Sequence, residues 1–318
     1  LHHDSVDGLR FYSYVDAAGI EISPSKGPAA GGTQVSISGL QNSTHGSSFT
    51  CYFNARPVQA EFESDAKVRC LTPPGDQLLV SKFALSDSGG RLLYEADFEY
   101  FSAVTIDRIY PSMGPNLGGA RVSVYGSGLE SSGGLMCLFA NTLSGGRPAK
   151  MITSTAIVCR TPASSAIGPV SVELSINDGH DFTDSGSHYH YEFPSSVTAI
   201  KPTLGQAQKD AMVTVVGKNF RENSALSCVV GFHNFVSGSY VSSTEVLCTI
   251  PAMAAGVVTV SVANNGQDLS QGRVTFSWGR HINLVRISPS TGPDGGGTPI
   301  IVDVSDKLDT GVENFKCI

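Results

Sequence analysis

A stretch that recurs four times constrains this chain more than any other feature. It reads Ile22-Ser23-Pro24-Ser25-Lys26-Gly27-Pro28, then Gly31-Gly32-Thr33, then the alternating run Val35-Ser36-Ile37-Ser38-Gly39. The second copy is Ile109-Tyr110-Pro111-Ser112-Met113-Gly114-Pro115, Gly118-Gly119-Ala120, Val122-Ser123-Val124-Tyr125-Gly126. The third keeps Ile200-Lys201-Pro202-Thr203-Leu204-Gly205 and Met212-Val213-Thr214-Val215-Val216-Gly217, and the fourth runs from Ile287-Ser288-Pro289 through Gly295-Gly296-Gly297-Thr298 to Ile300-Ile301-Val302. The prolines lie at 24, 111, 202 and 289, at intervals of 87, 91 and 87 residues. A fixed period of this size sets the architecture before any residue-level argument begins. Within each copy, proline cannot donate to a sheet ladder, so it ends an edge strand. The glycines make a permissive turn, and the alternating run reads as a half-buried strand. Each copy is therefore expected to break an edge strand and restart it.

Six of the seven cysteines fall as one pair per full repeat: Cys51 with Cys70, Cys137 with Cys159, and Cys228 with Cys248. The second of each pair sits in a common context, Val68-Arg69-Cys70-Leu71-Thr72-Pro73, Ile157-Val158-Cys159-Arg160-Thr161-Pro162 and Val246-Leu247-Cys248-Thr249-Ile250-Pro251. Three readings compete: disulfides, buried free thiols and a metal site. No Cys-x-x-Cys spacing or histidine partner accompanies the pairs, which favours disulfides and hence an oxidising compartment, extracellular or at the cell surface. Each bridge would contribute about 3 kcal/mol for a loop of this length. Cys317 lies 28 residues after Pro289, close to the 27, 26 and 26 of the full copies, so it takes the first-cysteine position of a fourth unit and is unpaired within residues 1–318; the competing reading is an intermolecular bridge.

An aromatic residue stands 13 before every repeated proline: Phe11, Phe98, Tyr189 and Phe276. A second follows two residues on in the full copies, at Tyr100, Tyr191 and Trp278. Residues two apart share a strand face, so these pairs are expected to fill the core. Strong alternating strands precede them, and Ser88-Gly89-Gly90, Asn177-Asp178-Gly179 and Asn264-Asn265-Gly266 read as hairpin turns. About seven short strands per repeat fit an all-β, immunoglobulin-like sandwich. The domains expected are 16–101, 102–195 and 196–280, with 1–15 the last strand of a preceding domain and 281–318 the beginning of another. Very short linkers predict an elongated rod.

The Ile-x-Pro-x-x-Gly-Pro-x-x-Gly-Gly-Thr opening, the paired cysteines with Thr-Pro and the closing hairpin with its aromatic residues together resemble the IPT/TIG family. The resemblance implies tandem immunoglobulin-like β-sandwiches. Cystine-bearing tandem copies are similar to those in the extracellular regions of plexins, growth-factor-type receptors, fibrocystin-like proteins and protist surface proteins. The third copy departs from the pattern, with Gln208-Lys209-Asp210 where Gly-Gly-Thr stands elsewhere. Its edge-strand break is therefore expected to differ while the sandwich is kept.

Lys and Arg number 21 against 28 Asp and Glu, a net charge of −7, which argues against a nucleic-acid partner. No apolar run approaches the roughly 18 residues of a membrane span, so no membrane contact is expected from this segment. No Gly-x-Ser-x-Gly elbow or carboxylate pair stands out, so the chain reads as non-enzymatic and without a cofactor. His188 and His190 would share a strand face, and Asp178 and Asp181 could offer oxygens to a cation. The competing reading is the polar, solvated end of a hairpin. Asn42-Ser43-Thr44 is a glycosylation sequon in a polar loop. The expected function is a structural or adhesive segment of a large surface protein, such as a filament subunit, whose partners are copies of itself, other surface proteins or glycans. The alternatives are a receptor ectodomain stalk that positions a ligand-binding head, and a carbohydrate-binding or spacer module of a secreted enzyme.

Overall fold

A computed structural model describes residues 19–40, 48–77, 80–129, 134–140, 146–183, 186–279 and 284–304. All the described regular structure is β. The chain divides into two compact units, Leu1–Phe193 and Pro194–Ile318.

The first unit holds two sandwiches. In the first, the strands are β1 (Glu21–Ser23), β2 (Lys26–Pro28), β3 (Gln34–Ser38), β4 (Phe49–Phe53), β5 (Arg56–Gln59), β6 (Glu61–Ser64), β7 (Lys67–Leu71), β8 (Val80–Asp87) and β9 (Leu92–Phe101). They form two sheets, ordered β1-β3-β7-β6 and β2-β9-β8-β4-β5. The second sandwich repeats this with β10 (Thr105–Tyr110), β11 (Met113–Pro115), β12 (Arg121–Ser127), β13 (Met136–Phe139), β14 (Arg147–Pro148), β15 (Lys150–Thr153), β16 (Ala156–Arg160), β17 (Gly168–Ser175) and β18 (His188–Glu192). Its sheets are β10-β12-β16-β15 and β11-β18-β17-β13-β14.

In the second unit the third sandwich comprises β19 (Ser196–Lys201), β20 (Leu204–Gln206), β21 (Ala211–Lys218), β22 (Ser227–Val230), β23 (Asn234–Ser242), β24 (Glu245–Ile250), β25 (Gly256–Ala263) and β26 (Val274–Gly279). Here β23 runs unbroken, pairing with β22 and then with β24, so the two layers join into one bent sheet of eight strands. β27 (Leu284–Ser288) pairs with β28 (Ile301–Val304) to open a fourth copy.

The repeated proline does more than break an edge strand. Each of Pro24, Pro111, Pro202 and Pro289 follows a cis peptide bond. In the three full copies the chain crosses there from one layer of the sandwich to the other. β1 pairs antiparallel with β3, whereas β2 lies parallel to the last strand, with Lys26 opposite Glu99 and Pro28 opposite Phe101. Proline lacks the N–H that would continue the first ladder, so the residues after it complete the free edge of β9 instead. This crossing, and the division of the middle strand at Ala60, raise the strand count above the seven expected.

The third copy corrects a second expectation. Despite lacking Gly-Gly-Thr, it makes the same crossing, with Leu204 opposite Ser277 and Gln206 opposite Gly279. The turn keeps its place. Gly31 N–H donates to the Pro28 carbonyl in the first copy, and Lys209 N–H to that of Gln206 in the third. Positive φ is shared by Gly31 and Gly32 in the first copy, at 78° and 88°, and is carried by Gln208 in the third, at 64°.

Alternation along the strands builds one core per sandwich. Phe98 and Tyr100, Tyr189 and Tyr191, and Phe276 and Trp278 are all buried. The rings of each pair meet edge to face, at centroid distances of 5.1, 5.1 and 4.9 Å. That geometry adds to the area buried, because the positive ring edge meets the negative face.

Candidate functional site

Each sandwich carries one bridge through its core. Cys51 on β4 is bonded to Cys70 on β7, Cys137 on β13 to Cys159 on β16, and Cys228 on β22 to Cys248 on β24. In the first two sandwiches each bond links one sheet to the other. All six cysteines are buried.

The Thr-Pro step beside the second cysteine locks the opening turn. Thr72 accepts the Gly32 N–H on its carbonyl at 2.8 Å and the Thr33 N–H on its hydroxyl at 3.0 Å. Thr161 does the same for Gly119 and Ala120, at 2.8 and 3.1 Å. The third copy has Ile250 at this place, buried in the core, and Asp210 Oδ1 instead accepts the Ala252 N–H at 2.8 Å. Thus Gly-Gly and the Thr of Thr-Pro form one device, present together or absent together.

Next to this lock, the Tyr100 hydroxyl donates to the Pro73 carbonyl and the Tyr191 hydroxyl to that of Pro162, both at 2.8 Å. Burial pushes both phenols up to about 12.

The first unit has a built junction between its sandwiches. Phe101, the last residue of β9, is 4% exposed and packs with Val104, Ile106 and Leu129 in the second core. After β17, residues 177–181 fold back on themselves. The Asn177 side-chain oxygen accepts the Asp181 N–H at 3.0 Å, and its amide donates to Asp181 Oδ2 at 2.7 Å. The same amide donates to the Lys26 carbonyl at 3.1 Å, and the Thr33 hydroxyl donates to Asp181 Oδ2 at 2.8 Å. Lys26 and Thr33 belong to the first sandwich, 151 and 148 residues away. Thr33 is 0% and Asn177 1% exposed. Gly27 makes the seat possible, because a Cβ there would collide with the Thr33 side chain.

This geometry corrects the hairpin reading. Ser88-Gly89-Gly90 does turn β8 tightly into β9, with Gly90 N–H on the Asp87 carbonyl at 2.9 Å. In the second copy β17 pairs with β18 only from Gly168 to Ser171, and Asn177 and Asp181 grip the neighbouring sandwich instead of standing in solvent. The metal candidates are not brought together. Asp181 Oδ2 receives Thr33 and Asn177, Asp178 sits at φ 61° in the turn, and His188 Nδ1 lies 2.8 Å from the Gly186 carbonyl oxygen. His190 lies on β18 opposite Met113. Among the described residues no group of three His, Cys, Asp or Glu could hold a metal ion. Asn42, Cys317 and the expected strand at 1–15 lie outside the described residues.

Sequence reasoning missed Thr33, Lys26 and Asn177 as junction residues. One signal was available: Cys159 to Tyr189 spans 30 residues, against 28 for both Cys70 to Phe98 and Cys248 to Phe276. The longer connection is the one that reaches its neighbour.

A family model described as the IPT/TIG domain matches residues 20–100, 104–193 and 195–278. Plexin-2 of Caenorhabditis briggsae is 26% identical over 203 residues, 62% of this chain and 11% of that protein. Human Plexin-A4 is 27% identical over 168 residues, 50% of this chain and 8% of its own length. Mouse Fibrocystin-L is 27% identical over 292 residues, 88% of this chain and 6% of its own. The chain therefore spans a small part of each relative.

Proposed function

The chain belongs to the IPT/TIG family, in three tandem copies, and from that premise we propose that it is a length of stalk in a receptor ectodomain, positioning a ligand-binding head. The chain is extracellular or at the cell surface. Its buried cystines suit that setting, since such bonds persist in oxidising compartments. The observation that carries the stalk reading is the junction of the first two sandwiches. A spacer sets position only if its joints resist bending, and here a buried phenylalanine and a four-residue hydrogen-bond network hold one joint. The work is mechanical, and no residue is assigned to catalysis. The plexin relatives support this reading over that of a filament subunit. Its partners are other surface proteins, reached through the head it positions, and Asn42, in its sequon, carries a glycan.

Domain replacement in the full-length protein tests the stalk. Exchanging residues 19–279 for three unrelated sandwiches of equal length should leave the response to ligand intact, whereas deleting one sandwich should impair it. Loss of response on an equal-length exchange would assign binding to these domains themselves.

A further inference from the structure

The outer face of the sheet β10-β12-β16-β15 carries a charge pattern that neither of the other sandwiches has. Val122, Val124, Ile157 and Cys159 turn into the core, so Arg121, Tyr125 and Arg160 stand on the opposite face. Arg121 and Arg160 are direct cross-strand partners. Lys150 faces Val158, one step diagonal from Arg160. Arg108 faces Tyr125, and its guanidinium carbon lies 3.8 Å from the centre of that ring. The acid on these four strands is Asp107, exposed at the bulge beside Arg108.

Like charges placed directly opposite each other in a sheet are destabilising. The corresponding pairs elsewhere avoid that cost. Gln34 faces Leu71 in the first sandwich, and Met212 faces Thr249 in the third. At the place of Lys150 the first sandwich has Glu61, ion-paired to Arg69 at 2.9 Å. Arg160 donates from Nη1 to the Gly119 carbonyl at 3.2 Å, and the face as a whole is basic in a chain of net charge −7, which suits a polyanionic partner.

We propose that the face formed by Arg108, Arg121, Lys150 and Arg160 binds an extended sulfated polysaccharide. From Arg121 to the row of Tyr125 and Arg108 is four residues, about 13 Å along a strand. Charges spread over such a length on a sheet face suit a linear polyanion better than a single small anion. Guanidinium groups match the oxygens of sulfate and carboxylate in bidentate fashion. Tyr110, 55% exposed, and Tyr125 add flat rings of mixed polarity between the cations. A protein partner would need an apolar centre to its interface, and the centre of this face is Ser123, flanked by half-buried Val158. The proposal rests on the extracellular setting, where such polymers are met. Cell-surface labelling of the full-length protein tests that setting separately.

The test is retention of the whole chain on immobilised heparin, with desulfated heparin and polyglutamate as comparison surfaces. The chain should be held on heparin at about 0.15 M salt and released as salt rises. Arg160→Ser with Lys150→Ser should weaken binding about tenfold or more and reduce the salt slope by about two, one for each cation removed. Lys67→Ser with Arg69→Ser, in the first sandwich, should leave binding within about twofold. Both pairs lie on sheet faces, and circular dichroism checks that each variant is folded. Absence of retention, or retention indifferent to Arg160 and Lys150, would overturn the proposal. So would stronger binding to polyglutamate, or a dimer that the same double variant abolishes, since either assigns the face to an acidic protein.

Discussion

The junction within the first unit allows a sharp energetic test. Thr33→Val removes the hydroxyl that donates to Asp181 Oδ2 at 2.8 Å and leaves a methyl of similar size. A hydrogen bond to a charged group contributes about 1.5–3 kcal/mol. Asp181 is only half-buried, so the lower part of that range applies, about 1.5–2 kcal/mol. Asp181→Ala removes more, because it strands two donors at once: the Thr33 hydroxyl and one proton of the Asn177 amide. Each buried orphan costs about 1–3 kcal/mol, so roughly 3–4 kcal/mol is expected. The double variant should lose less than the sum of the single losses, with a coupling of about 1.5 kcal/mol. A single unfolding curve for a multi-sandwich chain is not two-state. Native-state hydrogen exchange reads the region directly, through the amides of Gly179 and Asp181, bonded to Ser175 Oγ and Asn177 Oδ1 at 3.0 Å each. Thr33→Val should speed their exchange by about tenfold to thirtyfold, at tenfold per 1.4 kcal/mol. The chain has a single tryptophan, Trp278, in the third core, so its fluorescence midpoint supplies an internal control and should stay fixed. A coupling below about 0.5 kcal/mol would refute the view that these residues clamp the joint.

Three further outcomes follow from the cores. Phe98→Ala should cost about 3–5 kcal/mol, since the ring is 0% exposed and packs against Phe53 and Tyr100; a loss within about 0.5 kcal/mol in denaturant titration would contradict that packing. Tyr100 and Tyr191 keep their protons in the folded chain up to about pH 12, against an ordinary value of 10.0 in the unfolded one. The folded state therefore binds more protons between these values, and stability present below about pH 10 should be lost as pH rises towards about 12. Tyr100→Phe with Tyr191→Phe should flatten that loss in alkaline denaturation curves. Non-reducing peptide mapping should return 51–70, 137–159 and 228–248, and reduction should cost each sandwich about 3 kcal/mol; scrambled pairs would show that the bonds do not form as placed.

What the sequence determined by itself is whatever depends on period and local chemistry. The prolines at 24, 111, 202 and 289 set the repeat, and alternation around Val35 and Ile37 set which side chains face inward. The two-residue spacing of Phe98 and Tyr100 was enough to put both in one core, because side chains alternate strictly along a strand. What only the tertiary structure decided depends on edges and distant neighbours. Pro24 announces that a strand stops, but the free edge of β9 that receives Lys26–Pro28 is built about seventy residues later. The loss of Gly-Gly-Thr in the third copy looked disruptive, yet Gln208 takes a positive φ where Gly31 and Gly32 do so in the first, and the crossing survives because the edge of β26 is still there to receive Leu204–Gln206. Asn177 and Asp181 read as hairpin polarity, because nothing local to them reveals that Thr33 and Lys26 lie within hydrogen-bond reach. Arg121 and Arg160 are 39 residues apart in the chain and become one charged surface only because β12 and β16 pair in that register, and it is long-range pairing that a period of two cannot encode.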